Sequence, residues 1–276
     1  MTTRTKVLTL AAGVLIVSVV AGLAAAQRYG GRRGGGYRSG PGPVEELTDR
    51  RGVPDWAVDP NFKSDLFTFV RVKYRSTRRY GGGWETDYPD AELNLSFRLQ
   101  QMTSLKVDPT PKVLELTDER LFDYPFIYMV EPGWLEFNEE EVVALRRYLT
   151  NGGFLMVDDF WGDDEWDNFH AEIKRVFPDR EPQELPLEHK IFHAVFDLKE
   201  KPQLPSIHHA IRARDSGVTW EGGFDTREPH YRAIHDDKGR IMVMICHNTD
   251  NGDGWEREGE DEWYFREFSE KKAYPV

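Results

Sequence analysis

Residues 125–158 read PFIYMVEPGWLEFNEEEVVALRRYLTNGGFLMVD, and this one stretch contains a strand, a helix and a second strand in order. The run 125–130, PFIYMV, is continuously apolar, the composition of a strand covered on both faces of a parallel sheet. Asn138 stands where a helix N-cap is needed, and Glu141 sits three residues on to close a capping box. Val142, Leu145 and Leu149 then repeat at helical spacing. Asn151-Gly152-Gly153 stops the helix with residues that accept the left-handed conformation of a C-cap. Residues 154–157, FLMV, are the next apolar run. Two buried strands joined by an amphipathic helix make a βαβ unit, whose strands lie parallel.

The same alternation extends in both directions. Toward the N-terminus, residues 66–74, LFTFVRVKY, alternate apolar and polar side chains and read as a first strand. A glycine-rich loop, RSTRRYGGGWETDYPD, follows, and Asp90 is expected to cap a helix with Leu95, Leu99 and Met102 on its buried stripe, widened by Leu93 and Phe97. Residues 112–116 read as a short strand. Toward the C-terminus, Asp163 or Asp164 is expected to cap a helix carrying Trp166, Phe169, Ile173, Val176 and Phe177. An irregular connection is expected over 178–186. Residues 231–235 and 240–247 read as two strands joined by the turn Asp236-Asp237-Lys238-Gly239. The pattern predicts an α/β fold, a doubly wound, largely parallel sheet with an antiparallel extension.

The chain has 276 residues with a net charge of −12, and that charge is uneven. The first 43 residues hold six basic side chains and no acid, so the remaining 233 hold 30 basic against 48 acidic residues, a net −18. Arg4 and Lys6 precede an apolar stretch over 7–23, and Ala24-Ala25-Ala26 offers a small-residue cleavage pattern, so residues 1–26 read as a signal peptide. An uncleaved membrane anchor is the alternative. Residues 27–60 are expected to be a flexible linker rich in glycine and arginine at its start, and 61–276 a single α/β domain. The protein is expected to be exported, periplasmic or extracellular, and to touch a membrane only through the N-terminal segment if that is uncleaved. The acid excess argues against nucleic acid as a partner. The single cysteine, Cys246, excludes an intramolecular disulfide and any cysteine-rich metal site.

In open parallel sheets, ligands bind beyond the carboxyl ends of the strands. That rule selects Tyr74, Trp84, Glu131, Asp158, Asp159, Trp161 and Asn248 as candidate ligand-binding residues. Asp158 and Asp159 together suit a divalent cation or a general base. His189 and His193, four apart, would share one face of a helix, but the flanking prolines argue against a helix there. His208-His209 is a weaker pair. Residues 248–256, NTDNGDGWE, resemble half a calcium loop, with Asn248, Asp250 and Asp253 as oxygen donors. The acid at the fifth position and the glutamate at the twelfth are missing, so a tight polar turn is expected. Cys246 inside an apolar strand reads as a packing residue. No phosphate loop, dinucleotide fingerprint or nucleophile elbow of the G-x-S-x-G kind is present.

LFTFVRVKY, FDYPFIYMVEPG, YLTNGGFLMVDDFWG, LPLEHKIFH and GRIMVMICHNTDNGDGWE, in that order, resemble the bacterial family called domain of unknown function 4159, over about residues 66–268. The resemblance implies a fold similar to the class I glutamine amidotransferase superfamily, a flavodoxin-like arrangement, often in exported or membrane-attached proteins. It also exposes a departure. A glutaminase of that fold carries a cysteine at the sharp turn where this chain has Asp158 and Asp159, and Cys246 lies on another strand.

These residues predict a non-catalytic exported module that binds a polar small molecule, a glycan or an envelope protein at the strand-end face, with no cofactor expected. The rival reading is a metal-assisted hydrolase holding a divalent ion with Asp158 or Asp159 and His189 or His193.

Overall fold

The computed structural model describes residues 49–62, 65–78 and 83–276. Seven strands form one mixed sheet: β1 (Val70–Lys73), β2 (Lys112–Glu115), β3 (Phe126–Val130), β4 (Phe154–Asp158), β5 (Gln183–Glu184), β6 (His230–His235) and β7 (Ile241–His247). Their order is β2-β1-β3-β4-β7-β6-β5. The first five in that order run parallel, with β3 and β4 in register from Phe126 opposite Phe154 to Val130 opposite Asp158. β6 and β5 extend the sheet antiparallel. The β6–β7 turn is closed by Asp236, whose carboxylate accepts from the Lys238 and Arg240 amides at 2.9 Å each.

Strand alternation divides the core into two layers. Val70, Val72, Ile127, Met129, Leu155, Val157, Val243 and Ile245 point to one face, where α2 (Glu139–Thr150) and α3 (Gly162–Val176) cover them with Val142, Leu145, Leu149, Phe169 and Ile173. Phe69, Tyr128, Val130, Met156, Met244 and Cys246 point to the other. That face is covered by α1 (Asp90–Met102), α4 (Ile207–Ala213), α5 (Asn251–Glu256) and the C-terminal helical segments Glu262–Tyr264 and Phe265–Ala273. Helices on both faces of a mostly parallel sheet are an α/β fold. The capping box forms as its spacing predicts: Asn138 Oδ1 accepts from the Glu141 amide at 2.9 Å, and Glu141 Oε2 from the Asn138 amide at 2.8 Å.

Several local expectations need correction. Asp90 is the first residue of α1 rather than its cap, and Met102 is 47% exposed. The helix instead turns Glu92, Leu93, Asn94 and Ser96 inward, because β1 presents a charge within an otherwise apolar face: Glu92 pairs with the fully buried Arg71 of β1, and Asn94 donates to the Trp255 carbonyl of α5 at 2.8 Å. Asp163 and Asp164 lie in the first turn of α3 behind an N-cap at Trp161. The connection over 178–186 contains the edge strand β5. Residues 251–256 form α5, not a tight turn, because Asp250 Oδ1 accepts from the Asp253 amide at 2.7 Å and caps a helix.

Residues 49–60, expected to end a flexible linker, are tied to the domain. Trp56 Nε1 donates to the Val107 carbonyl at 2.8 Å, its ring packs on Phe97, and Arg50 Nη1 donates to the Pro109 carbonyl at 2.6 Å. The signal segment 1–26 and the linker up to residue 48 lie outside the described residues. Among the described residues no helix is long and apolar enough to cross a membrane.

Candidate functional site

Beyond the carboxyl ends of β1, β3, β4 and β7 lies a cavity of about 400 Å³. Its walls carry seven carboxylates, Asp87, Glu131, Asp159, Glu165, Glu221, Asp250 and Asp253, against two guanidinium groups, Arg78 and Arg257. Each strand end delivers its acid through a turn. Glu131, directly after β3, has φ 48°, and Asp159, directly after β4, has φ 55°; Asp87, in the loop before α1, has φ 63°. Non-glycine residues rarely adopt this left-handed conformation, which costs on the order of 1–3 kcal/mol each and concentrates at functional sites. At Glu131 and Asp159 backbone hydrogen bonds hold the turn. The Glu131 amide donates to the Asp158 carbonyl at 3.0 Å, and the Asp159 amide to the Thr249 carbonyl at 3.2 Å.

The acids differ in how far they are satisfied. Asp253 is paired with Arg257 Nε at 3.0 Å and also accepts from the Ile207 amide. Glu131 accepts from the Gly83 amide at 2.6 Å, with Arg78 3.7 Å away. Asp159 Oδ1 accepts from Trp161 Nε1 at 2.9 Å. Asp87 is 9% exposed, and its buried Oδ2 has no hydrogen-bond partner. Burial, followed by the negative charge of neighbouring acids, pushes Asp87, Asp159 and Asp250 well above the usual carboxylate range. Burial also raises Glu131, against the pull of the Gly83 amide. Glu256, behind the cavity wall, is pushed up to about 7, first by burial, with Arg257 opposing.

One layer deeper, a polar network holds the cavity floor. Asp158 is fully buried and accepts from Asn251 Nδ2 at 2.7 Å, the Tyr128 hydroxyl at 2.9 Å and the Gly252 amide at 2.9 Å. Burial raises it to about 6 despite these three donors. Asp158 thereby ties β4 to α5, which carries Asp253.

Of the residues selected from sequence, Glu131, Asp159 and Trp161 line the cavity. Tyr74 does not open onto it: its hydroxyl is buried 2.7 Å from the Val130 and Glu131 carbonyl oxygens, where it props the β3 turn. Asp158 serves beneath the floor. Asn248 is fully buried, accepting from the Gly162 amide at 2.9 Å and donating to the Asp225 and Glu228 carbonyls at 3.1 and 3.0 Å. Trp84 is outside the cavity lining; its ring packs against the core and under Lys73.

The two histidines of 189–193 are engaged locally, as residues of a structural role would be. His193 binds Asp197 at 2.6 Å and the Leu187 carbonyl at 2.8 Å, and His189 accepts from the Ile191 amide at 3.3 Å. Their segment borders an apolar groove of about 280 Å³ with Phe67 and Phe126, at the amino ends of the strands. The five residues of β3 separate that groove from the acidic cavity, on the order of 16 Å at about 3.3 Å per residue. His208 and His209 lie on α4 and join no cluster of metal-ligand type among the described residues.

Sequence reasoning passed over Asp87, Glu165 and Glu221, and discounted Asp250 and Asp253. The D-x-x-D spacing of 250–253 was the one available signal for the last two. Asp87 had none, because no local sequence pattern specifies which residue between β1 and α1 faces the cavity.

The fold and cavity define an α/β domain with a carboxylate-lined pocket at the carboxyl ends of its parallel strands. The chain belongs to the family described as Domain of unknown function (DUF4159), whose family model matches residues 68–276. No curated protein matches it.

Proposed function

We propose that this chain is an exported, non-catalytic module, periplasmic or extracellular, that binds a polar, hydroxyl-bearing ligand such as a glycan in the strand-end cavity. The observation that carries the reading is convergence: Glu131, Asp159 and Asp250 follow three different strands and meet beside the partly buried Trp161. Carboxylates accept hydrogen bonds from sugar hydroxyls, and an indole face stacks on a pyranose ring. The acid excess repels phosphorylated and other anionic ligands.

The strand order β2-β1-β3-β4-β7 corresponds to the 2-1-3-4-5 order of flavodoxin-like sheets, which supports the glutamine amidotransferase-like fold. In such sheets the switch point, here between β1 and β3, is where ligands bind. Thiol chemistry is opposed by the position of Cys246, fully buried on β7 with its thiol pushed well above the ordinary range by burial. The hydrolase built on His189 and His193 is opposed by their distance from the acids.

The test is titration of the purified chain with neutral oligosaccharides (cello-, malto- and chito-oligomers) and with polygalacturonate, read by tryptophan fluorescence and calorimetry. Binding of a neutral oligomer, lost in Trp161→Ala and Asp159→Asn, is the expected result. Absence of binding by every neutral oligomer, or equal binding by both variants, overturns the reading.

A further inference from the structure

We propose that Asp87, Asp159 and Asp250 hold a hard divalent cation, of the calcium, magnesium or manganese kind, at the floor of the strand-end cavity. The inference rests on the reading of that cavity as the binding site and adds the ion through which a ligand would be held.

One carboxylate oxygen from each of the three residues lies within 4.8 Å of the other two. Oxygens bound to one calcium ion at 2.3–2.6 Å stand no farther apart than roughly 4.6–5.2 Å, so the three fit a single coordination sphere. The donors are all carboxylate, with no histidine or cysteine, which selects hard cations over zinc or copper.

The second observation is Asp87 itself. It is 9% exposed and lines the cavity, and its buried Oδ2 meets no amide, hydroxyl or cationic donor, the one neighbour able to share a proton with Asp87 being the Glu256 carboxyl. A buried, unpartnered carboxylate oxygen is costly and rare. The fold nevertheless maintains one, in a left-handed backbone conformation, against Gly252, where a Cβ would collide with that same oxygen. The other two acids each have one oxygen engaged, Asp159 Oδ1 by Trp161 and Asp250 Oδ1 by the Asp253 amide, which leaves a second oxygen on each.

A competing trio, Asp87, Asp253 and Glu256, also brings its oxygens within 4.8 Å. There Arg257 already supplies the positive charge, 3.0 Å from Asp253 and 2.8 Å from Glu256. No cationic side chain makes an ion pair with Asp87, Asp159 or Asp250 among the described residues. The charge deficit is therefore centred on the first trio. Three protein oxygens leave the remaining positions of a six- to eight-coordinate ion to water or to ligand hydroxyls.

The experiment is calorimetric titration of the chelator-treated chain with calcium, magnesium and manganese separately, up to about 5 mM, the weak end of oxygen-ligated sites. Thermal unfolding is followed in parallel. The expected result is one ion per chain with a rise in Tm. Asp87→Asn and Asp159→Asn should weaken binding at least about tenfold, while Asp197→Asn, at the other end of the sheet, leaves it unchanged. Without ion, Asp87→Asn should be more stable than the parent, since it removes a like charge; this readout separates a cation site from a structural acid and shows that the variant folds. No binding of any of the three ions, or undiminished binding in both cavity variants, overturns the proposal. Oligosaccharide binding that persists in chelator would leave the cavity reading standing and remove the cation from it. Ion binding without any sugar binding would do the reverse.

Discussion

Replacing Glu92 tests the least ordinary element of this fold. Arg71 lies in the middle of the sheet with no exposed surface, ion-paired to Glu92 of α1, which is equally buried. Arg71 Nη1 also donates to the carbonyls of Trp84 at 3.1 Å and of Thr86, while Nη2 has no partner. Burial raises the Glu92 carboxyl and the Arg71 charge pulls it back down, so attraction and desolvation largely offset one another. The intact pair is therefore worth little net, but Glu92→Gln leaves a guanidinium buried with only neutral acceptors. That should cost about 3–5 kcal/mol. With an m-value of about 2–3 kcal/mol per molar urea, the midpoint falls by more than about 1 M. The assay is urea unfolding followed by tryptophan fluorescence. The double variant Arg71→Met/Glu92→Leu, with apolar groups of similar volume, should recover most of the loss. A Glu92→Gln midpoint within about 0.3 M of the parent, or a double variant no better than the single, would refute the reasoning. Because Arg71 holds the Trp84 and Thr86 carbonyls, Glu92→Gln should also loosen the loop that presents Asp87.

Three further outcomes follow from other sites. Gly252→Ala places a methyl group against Asp87 Oδ2 and 3.0 Å from the Tyr128 hydroxyl, so urea unfolding should show a loss of about 1–3 kcal/mol from overpacking. His247 is buried, and its imidazole is depressed to about 3, mainly by burial, against the help of the Gly162 carbonyl that accepts from it at 3.0 Å. The unfolded ring takes a proton near 6.5 and the folded ring does not, so this group's contribution falls as pH drops below about 6.5. By pH 5 the loss is about 2 kcal/mol. The stability difference between the parent and His247→Gln should shrink by that amount between pH 7.5 and pH 5, and a constant difference would contradict it. Cys246 should resist a thiol reagent in the folded protein and react fully in urea, which absorbance of the released thiolate measures directly.

Local physics made much of this fold legible in the chain itself. The βαβ unit over 125–158, the capping box at Asn138 and Glu141, and the antiparallel pair β6–β7 arise from apolar period, cap chemistry and turn chemistry. Those act over a few residues and do not depend on distant partners. The strand-end rule likewise found Glu131, Asp159 and Trp161, because strand termini can be read from sequence. What failed depended on partners far away in the chain. The buried stripe of α1 is shifted because Arg71, 21 positions before Glu92, demands an anion from it. Asn248 directly follows β7 and Trp84 lies in the loop after β1, yet they serve loop anchoring and packing, since their partners lie in segments whose paths no local pattern specifies. That His189 and His193 lie at the opposite end of the sheet from the acids was hidden for the same reason.

The amino-acid sequence alone determined the class of sheet, the positions of most strand ends and the acid excess of the domain. Only the tertiary structure decided which acids meet. Asp87, Asp159 and Asp250 are separated by 72 and 91 positions, respectively, and belong to different connections. Carboxylate repulsion by itself disfavours their approach. They are held together by the folding energy of the two apolar layers beneath them, which is set by the packing of the whole sheet rather than by any segment that carries the acids.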